Sequence, residues 1–417
     1  MKLLTVDTID EAREKITSRI KSRAIKTEAI PLAHAAGRVL AGDIISPCDI
    51  PSFRRSTVDG YAVIAADTAG ATEAIPALLN QAGSVSMGKA ANCTVRSGEC
   101  AYVPTGGMIP DGADAVVMAE YCEQGTENRE HAKGAVVCIY GAAATGAGFV
   151  EAGEDMRKGE LLLGRGTLLR PQEIGALAAA GITMAQVFVP LAMSIISTGD
   201  ELVAPEQEPG AGEVRDVNTY ALTALAVKHG YAIKSARVLP DDEQRLEAAV
   251  TEAMIVSDIV VISGGSSRGE KDITAEIINR AAHPGVFTHG LAVKPGKPTI
   301  LGWDEKSKTL LTGLPGHPVS AIMVFEQLLG NEQLALNGEH RKSFCIPARV
   351  TCNIPGAPGK TVYQPVTLAL KDGGYCAEPV FGKSGLITTL TQADGYIIID
   401  MNKEGLKKDE DVMAHLF

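Results

Sequence analysis

The chain has 417 residues, of which 45% are hydrophobic and 21% are charged. That length predicts roughly two to four domains, and that composition argues against a disordered chain. The formal net charge is −11 and no basic run interrupts the acidic balance, so the sequence argues against a nucleic-acid or membrane-surface binder.

The cysteine pattern and the amino-terminal residues indicate the compartment. None of the eight cysteines forms a C-x-x-C pair or has a histidine at zinc-finger spacing, which favours reduced thiols. The first residues are charged from Lys2 onward and contain no apolar stretch typical of a secretion signal. The uncharged segment 174–199 is long enough to span a bilayer, but its glycines and Pro190 divide it into a helix and two strands. We therefore expect a cytoplasmic protein without a membrane span.

The predicted elements begin with an amphipathic helix. Apolar residues at a helical spacing predict this helix over 8–22, with Thr8 as the N-cap and Glu11 completing a capping box. Residues 32–44 predict a short helix that ends near Gly37 and is followed by a strand.

A change in the sequence pattern predicts an inserted domain. From about 46 to 150, short β-type runs alternate with Gly/Pro turns, which predicts a β-rich insertion. Residues 153–181 then return to a strand-turn-strand-helix pattern, with Pro171 in the first helical turn and Gly181 just past the end.

Strands and helices alternate from 191 to 330, and the strands are short apolar runs typical of buried parallel strands. We predict a doubly wound α/β domain whose ligand lies beyond the carboxyl ends of its strands. Beyond about 343 the pattern predicts a small terminal β-domain. The predicted strands are 192–198, 233–239, 257–263, 298–303 and 308–314, and the predicted helices are 219–229, 242–255, 272–282 and 318–329.

Glycine-rich turns follow two of these strands. SGGSSRGEKD, with Gly264 and Gly265, follows the strand 257–263, and GLPGHPVS follows the strand 308–314. Such turns allow backbone N–H groups to approach an anion at a helix N-terminus, although simple turn chemistry is the alternative for either one alone. The turns match neither G-x-G-x-x-G nor a P-loop, so the sequence predicts neither dinucleotide nor ordinary nucleoside triphosphate binding.

Charged residues fall at the same predicted edge. Asp200, Glu201, Asp241 and Asp272 follow strand ends, and carboxylates beside a phosphate site require a cation such as Mg²⁺ between them. Asp241 and Asp272 equally fit helix N-caps.

Two lysines and two glycine turns complete the candidate residues. Lys294 and Lys297 flank a proline-bounded turn that suits a small oxyanion, although a solvated pair is the alternative. His34 and His317 lack a partner at metal-binding spacing. Asp59 and Thr105 lie in glycine turns of the insertion, where hairpin turns are the simpler interpretation.

Taken together, these motifs resemble one family, the molybdopterin molybdenumtransferases of the bacterial MoeA type and the related E domain of gephyrin. They occur in family order between residues 51 and 396. The matching strings are PSFRRSTVDGYAV, PTGGMIPDGADAVV, GEDMRKGE, STGDEL, SGGSSRGEKD, KPGKP, GLPGHPVSA and SGLITTL-x-x-ADGY.

The resemblance implies a four-part homodimer, with the active site between the α/β domain of one subunit and the inserted domain of the other. The terminal domain would be a small β-barrel. The expected parts are 1–45 with 151–190 as a linking and dimerisation domain, 46–150 as the insertion, 191–332 as the molybdopterin-binding domain, and 333–417 as the terminal domain.

The implied reaction is insertion of molybdate, or tungstate, into adenylylated molybdopterin with Mg²⁺-dependent release of AMP. An upstream adenylyltransferase and apo-molybdoenzymes are the implied partners. Two alternatives are a molybdopterin adenylyltransferase-like enzyme and a non-catalytic, gephyrin-like scaffold.

The resemblance also implies roles for individual residues. The acidic site around Mg²⁺ and the pyrophosphate would comprise Asp200, Glu201, Asp241 and Asp272. The nucleotide side would be lined by Ser263, Gly264, Gly265 and Ser266. The molybdate pocket would comprise Lys294, Lys297, Ser320 and Ser384, and the partner subunit would contribute Asp59, Thr105 and Asp155.

The sequence departs from the family pattern at cationic positions. Val150 and Gly290 stand where an arginine and a lysine are common, and Lys360 and Pro365 occupy two arginine positions. His317 replaces the usual asparagine of GLPGNP. These departures bear on substrate affinity, on the choice between molybdate and tungstate, and on whether the chain is a diverged paralogue.

Overall fold

A computed structural model describes residues 6–125, 135–264, 273–330, 344–371 and 373–417. The chain forms two compact units. The first comprises Met1–Glu28, Gly37–Ala41 and Gln186–Phe417, and the second comprises Ala29–Ala36 and Gly42–Ala185. The finer division into four parts stays a prediction.

The α-helices begin and end close to predicted positions, but the short helix predicted before Gly37 is only a 3-10 turn, Leu32–His34. They are α1 (Ile9–Ile20), α2 (Pro171–Ala179), α3 (Asn218–Lys228), α4 (Glu243–Val256), α5 (Ile273–Ala281) and α6 (Pro318–Leu328), with a further helical turn at Thr388–Thr391.

Strands account for most of the remaining regular structure. Up to residue 188 they are β1 (Thr27–Pro31), β2 (Ile44–Ile45), β3 (Arg55–Ser56), β4 (Gly60–Val63), β5 (Ala77–Ser84), β6 (Glu99–Val103), β7 (Ala115–Met118), β8 (Cys122–Gln124), β9 (Val136–Ile139), β10 (Phe149–Val150), β11 (Leu161–Leu163) and β12 (Met184–Phe188). From 192 to 314 they are β13 (Ala192–Thr198), β14 (Leu202–Val203), β15 (Val214–Arg215), β16 (Ala232–Leu239), β17 (Ile259–Gly264), β18 (Pro284–His289), β19 (Val293–Lys294), β20 (Ile300–Asp304) and β21 (Thr309–Leu314). The terminal strands are β22 (Cys345–Val350), β23 (Ile354–Pro355), β24 (Thr361–Lys371), β25 (Gly374–Pro379), β26 (Gly395–Ile399), β27 (Gly405–Leu406) and β28 (Asp411–Leu416).

The first unit contains a six-stranded sheet in the order β16-β13-β17-β21-β20-β18. The four strands from β16 to β21 are parallel, as predicted, whereas β20 pairs antiparallel with β21, and β18 pairs antiparallel with β20. The prediction of a parallel strand at 298–303 was therefore wrong in direction, and β18 was missed. Only four residues separate β20 from β21, and a connection that short joins antiparallel neighbours, because a parallel pair requires a crossover of a dozen or more residues.

Helices cover both faces of this sheet. Met193 and Ile195 of β13 pack into a core with residues of α1, α3 and α6, whereas Ile196 packs on the opposite face with residues of α4 and α5. Successive side chains of a strand point to opposite faces of the sheet. Because both faces are buried here, the sequence of the strand is a continuous apolar run. The doubly wound α/β architecture is confirmed.

Helix α1 joins the first of these cores. Thr8 forms the predicted capping box, because its backbone N–H donates to Glu11 Oε2 over 2.8 Å and its Oγ1 accepts from the N–H of Glu11. The buried face comprises Ile9, Ala12, Ile16 and Ile20, as the helical spacing predicts.

The carboxyl-terminal strands form a closed barrel. The sheet order is β24-β25-β22-β28-β26, and β26 pairs again with β24. The short strand β19 of the α/β region adds to β24 in parallel. Residues 293–294 are therefore tied to the terminal barrel.

The second unit is built on another six-stranded sheet, in the order β7-β4-β6-β5-β9-β8. Neighbouring residues of β4 enter separate apolar clusters, with Val63 in one and Ala62 in the other. In the same unit, α2 begins at Pro171, and Gly181 lies just past its end with φ +72°, as the Pro/Gly pattern predicts.

The uncharged segment 174–199 divides as predicted into the end of α2 and strands β12 and β13. Among the helices of the described ranges, none has the length and apolar character needed to cross a membrane.

Candidate active site

The carboxyl ends of the parallel strands define one edge of the first unit. Strands β16, β13, β17 and β21 all end there, and β20 begins there because Ile300 pairs with Gly313 near the end of β21. The loops after these strands and the turn before β20 therefore lie along one edge, where an α/β sheet binds its ligands.

Two predicted carboxylates, Asp200 and Asp241, lie together at this edge, and Glu201 follows Asp200 in the chain. The backbone N–H of Asp241 donates to Asp200 Oδ1 over 2.9 Å, and the hydroxyl of Thr198 donates to Asp241 Oδ1 over 2.7 Å. The carboxylate of Glu201 folds over Gly199, because a Cβ added to that glycine would lie 2.7 Å from Glu201 Oε2. These bonds join the ends of the neighbouring strands β13 and β16. We call Asp200, Glu201 and Asp241 together the acidic loop.

The acidic loop has the donor chemistry that Mg²⁺ prefers. Each carboxylate of Asp200 and Asp241 uses one oxygen in a hydrogen bond with another described residue, which leaves its second oxygen for a cation. No basic side chain within the described ranges pairs with Asp200, Glu201 or Asp241. Unpaired, solvent-accessible carboxylate oxygens suit a hard divalent ion. Asp272 lies outside the described residues, and the residues within them contain no group of three or more metal-ligating side chains close enough to hold a metal by themselves.

Two glycines, Gly264 at the end of β17 and Gly316 after β21, allow the backbone of neighbouring loops to approach closely beside the acidic loop. We call this pair the glycine corner. Gly264 has φ +112°, and a Cβ there would lie 2.1 Å from the carbonyl oxygen of Thr198, so only glycine fits. A Cβ on Gly316 would lie 3.6 Å from the Cα of Gly264, which shows that the loops after β17 and β21 are adjacent. Gly265 and Ser266 lie outside the described residues.

Ser263 is part of the scaffold beneath that corner. Its side chain is buried, with Oγ accepting from Asn218 Nδ2 over 2.8 Å and donating to the carbonyl of Pro315 over 3.4 Å. Asn218 Nδ2 also donates to the carbonyl of Gly316 over 2.8 Å. Asn218 thus links the ends of β17 and β21.

Asn218 and its neighbour Asp216 were missed by the sequence analysis. An Asp and an Asn just before a helix are typical caps, so the sequence gives no signal of proximity to the glycine turns. Both residues are buried, and Asp216 accepts the N–H of Thr219 through Oδ1 over 3.2 Å.

The lysine turn packs against helix α6. Gly296 has φ +111°, and a Cβ there would lie 2.2 Å from Val324 Cγ2. The hydroxyl of Thr299 donates to the carbonyl of Gly296 over 2.7 Å and closes the turn. Lys294 and Lys297 are exposed, so the fixed turn presents two ammonium groups to solvent at this edge.

Ser384 lies at the amino-terminal end of α6. Its Oγ is 2.8 Å from His317 Nδ1, and its carbonyl accepts the N–H of Val319 over 3.1 Å. Ser320 is buried in the first turn of the same helix. The structure thus places Ser384, which is distant in sequence, beside the GLPGHP turn.

In the second unit the structure joins two of the three predicted residues. The backbone N–H of Thr105 donates to Asp59 Oδ1 over 2.6 Å, and both residues are exposed. Asp155 is exposed and its N–H donates to the carbonyl of Ile50. Among the described residues, Asp155 makes no hydrogen bond to Asp59 or Thr105. Val150 pairs with Arg55 across strands, so a cation lies opposite the position where the family arginine is absent.

Gly290, where the resemblance implies a lysine, has a backbone conformation that favours glycine. Gly290 has φ +106°, its N–H donates to Thr299 O over 2.7 Å, and its carbonyl accepts the N–H of Asp7 over 3.1 Å. A lysine in this backbone would be strained. Pro365 lies within barrel strand β24, opposite Tyr396.

Comparison with known families accounts for most of the chain. Residues 7–181 match the model of the MoeA N-terminal region (domains I and II), and residues 347–417 match that of the MoeA C-terminal region (domain IV). Residues 194–335 match a probable molybdopterin binding domain. The chain belongs to the MoeA family.

Individual MoeA relatives align along nearly the whole chain. A molybdopterin molybdenumtransferase of Haemophilus influenzae is 30% identical over 98% of each chain. A putative molybdopterin biosynthesis protein of Methanocaldococcus jannaschii is 30% identical over 94% of this chain and 92% of its own. A crystal structure of a molybdopterin biosynthesis MoeA protein from Pyrococcus horikoshii OT3 aligns with TM-score 0.75 and 30% identity, covering 99% of this chain and 100% of that one.

Proposed function

We propose that this MoeA-family chain is a molybdopterin molybdenumtransferase that inserts molybdate into adenylylated molybdopterin and releases AMP. The observation that carries the proposal is the convergence at one edge of an acidic loop, a glycine corner and a lysine turn. That edge belongs to the part of the chain that matches a molybdopterin binding domain.

The acidic loop would hold the magnesium ion. Asp200, Glu201 and Asp241 would supply carboxylate oxygens, with Asp272 as a further ligand. The bound ion would act as a Lewis acid on the bridging phosphates. The hydrogen bonds from Thr198 to Asp241 and from Asp241 to Asp200 would keep two of these carboxylates oriented before substrate arrives.

The glycine corner and the lysine turn would hold the anions. Backbone at Gly264 and Gly316 approaches closely enough to accommodate a phosphate or nucleotide without side chains in the way. Lys294 and Lys297 would neutralise molybdate while dithiolene sulfurs replace its oxygens. Ser320 in the first turn of α6 and Ser384 beside the amino-terminal end of that helix would complete the pocket. No side-chain nucleophile is needed.

The second unit would act through a homodimer. In this proposal Asp59, Thr105 and Asp155 complete the site of the other copy. The hydrogen bond from Thr105 to Asp59 supports a preformed, exposed polar cluster that is available to a partner. The upstream adenylyltransferase and the apo-molybdoenzymes would be transient partners.

One assay tests the activity. The purified full chain is incubated with adenylylated molybdopterin, Mg²⁺ and molybdate, and both AMP release and reconstitution of an apo-molybdoenzyme are measured. We expect both products, and replacing molybdate by tungstate measures oxyanion preference. Substrate binding without AMP release would support a scaffold instead, and ATP consumption with molybdopterin would support an adenylyltransferase.

A further inference from the structure

Two acceptor atoms at the glycine corner have no donor among the described residues. Asp216 is 3% exposed and Asn218 is 8% exposed, and both Asp216 Oδ2 and Asn218 Oδ1 are buried without a hydrogen-bond partner. Within the described ranges, Asp216 Oδ2 is the one carboxylate oxygen in this state. Leaving a buried acceptor unpaired is costly, and more so when it carries charge.

The other polar atoms of the same two side chains, Asp216 Oδ1 and Asn218 Nδ2, do form hydrogen bonds. Asp216 Oδ1 accepts the N–H of Thr219, and Asn218 Nδ2 bridges Ser263 Oγ and the carbonyl of Gly316. These contacts fix both side chains at the amino-terminal end of α3, against the ends of β17 and β21. Asn218 is therefore held beside the corner formed by Gly264 and Gly316, and Asp216 lies two residues before it in the chain, each with one acceptor that meets no donor of the described residues.

Because both atoms are hydrogen-bond acceptors and one belongs to a carboxylate, they can bind only a part of the proposed substrate that offers donors. An unpaired carboxylate repels phosphate and molybdate. Adenine offers an amine beside a ring nitrogen that is itself an acceptor. The 2-amino-4-oxo ring of a pterin instead presents two adjacent donors, the 2-amino group and the ring N3–H, and a carboxylate accepts such a pair.

We propose that Asp216 and Asn218 recognise the amino-amide edge of the pterin, with Asp216 Oδ2 accepting the 2-amino group or N3–H and Asn218 Oδ1 accepting a neighbouring donor. This inference rests on the proposed function, since it assigns a part of that substrate to a part of the site. It gives Asp216 a binding role in addition to its capping bond.

The test compares two small ligands on the full chain. Free pterin and lumazine differ at position 2, where lumazine carries a carbonyl oxygen instead of the amino group. Titrations followed by ligand fluorescence should show that the wild-type chain binds pterin roughly tenfold or more tightly than lumazine. Equal affinities, or no saturable binding of pterin, would overturn the inference without the use of any variant.

A matched pair of variants separates binding from capping. Asp216→Asn retains an oxygen for the N–H of Thr219 but can place an NH₂ donor where Oδ2 stood. Asp242→Asn makes the same change at the cap of α4, where Asp242 accepts the N–H of Arg245 over 2.8 Å. We expect Asp216→Asn to weaken pterin binding about tenfold and to remove the preference over lumazine, while the affinity for AMP and the melting temperature stay close to wild type. Asp242→Asn should change none of these affinities.

The outcomes also separate this inference from the proposed function. Molybdate-dependent AMP release by a wild-type chain that shows no pterin preference would leave the function and overturn the inference. A pterin preference in a chain that never releases AMP would support the inference and overturn the proposed function. Weakened AMP binding in Asp216→Asn, with pterin binding unchanged, would assign the two residues to adenine and contradict the inference.

Discussion

The backbone N–H of Asp241 donates to Asp200 Oδ1 over 2.9 Å. This bond joins the loops after β13 and β16 and orders the carboxylate of Asp200 through a backbone N–H, while the hydroxyl of Thr198 orders that of Asp241. Neither carboxylate is held by a basic side chain of the described residues. Because the negative charge of the pair stays unneutralised by the described residues, a divalent cation is the natural counter-ion.

The first prediction concerns the charge of that pair. Asp241→Asn keeps the backbone bond to Asp200 but removes one negative charge from the proposed magnesium site. We expect the Mg²⁺ concentration for half-maximal AMP release to rise roughly 10- to 100-fold, the loss typical of perturbing a metal's ligand environment. The measurement is AMP release against Mg²⁺ concentration.

The control for that experiment is the next residue. Asp242→Asn removes a negative charge one position further on, where the side chain caps α4. It should leave the Mg²⁺ dependence unchanged. An equal shift in both variants would mean that general charge near the edge, and not the site, sets the Mg²⁺ requirement.

The second prediction concerns the contact between Ser384 and the amino-terminal end of α6. Ser384→Ala removes the hydroxyl that lies 2.8 Å from His317 Nδ1, while the bond from Val319 N–H to its carbonyl stays. We expect the KM for molybdate to rise roughly tenfold and the free energy of unfolding to fall by less than about 1 kcal/mol. Steady-state kinetics and urea unfolding measure the two effects.

Thr391→Ala is the matched control for Ser384. The hydroxyl of Thr391 donates to the carbonyl of Thr388 over 2.9 Å in the same segment, on an exposed helical turn. Its loss should leave the KM for molybdate unaltered. If Ser384→Ala also leaves that KM unaltered, Ser384 has no part in oxyanion binding.

The third prediction concerns the geometry of the lysine turn. Gly296→Ala combines φ +111° with a Cβ 2.2 Å from Val324 Cγ2, so it should reduce the free energy of unfolding by about 2 kcal/mol or more. Gly212→Ala is the control, because φ there is +91° and no atom lies within 4 Å of the new Cβ. The control should lose only about 1 kcal/mol.

A second-site change tests the steric part of that argument. Val324→Ala removes the methyl group that the new Cβ would meet, so Gly296→Ala should cost less in that background than in the wild type. Urea unfolding of the single and double variants measures the coupling. Additive losses would show that Val324 is not the obstacle.

Much of the site edge could be predicted because it follows from strand direction. Parallel strands end at one edge, so the placement of Asp200 and Asp241 needed only the recognition of buried apolar runs followed by acidic residues. The β-type pattern beyond about 343 predicted a terminal β-domain, whereas its closure into a barrel was expected only from the family resemblance.

The remaining features depend on contacts that local patterns do not encode. The hairpin between β20 and β21 turns on a short connection around Lys308, which has φ 57°. Asn218 joins two loops that are distant in sequence. In the sequence, however, an asparagine at the start of a helix is typical of an ordinary N-cap, so nothing there signals this role. Ser263 looked like a ligand contact beside glycines, but its hydroxyl is used within the protein.

The last prediction concerns pH and the terminal barrel. Burial lowers the pKa of His415, and the positive charge of Arg13 lowers it further. The unfolded chain therefore binds a proton at this position more readily than the folded chain. The free energy of unfolding should decrease as the pH falls from about 6.5 toward the lowered pKa of the folded state, and this contribution should be fully present above that range.

His415→Phe isolates this contribution. The phenyl ring can keep the stacked arrangement with Tyr396, whose ring centroid lies 5.2 Å from that of His415, but it cannot titrate. Urea unfolding at pH 7.0 and 5.5 should show a smaller loss in the variant than in the wild type, because carboxyl groups titrate mainly at lower pH. His34→Phe, at an exposed histidine of the second unit, should retain the wild-type pH dependence. If His415→Phe loses as much stability as the wild type between these pH values, the buried imidazole is not the group responsible.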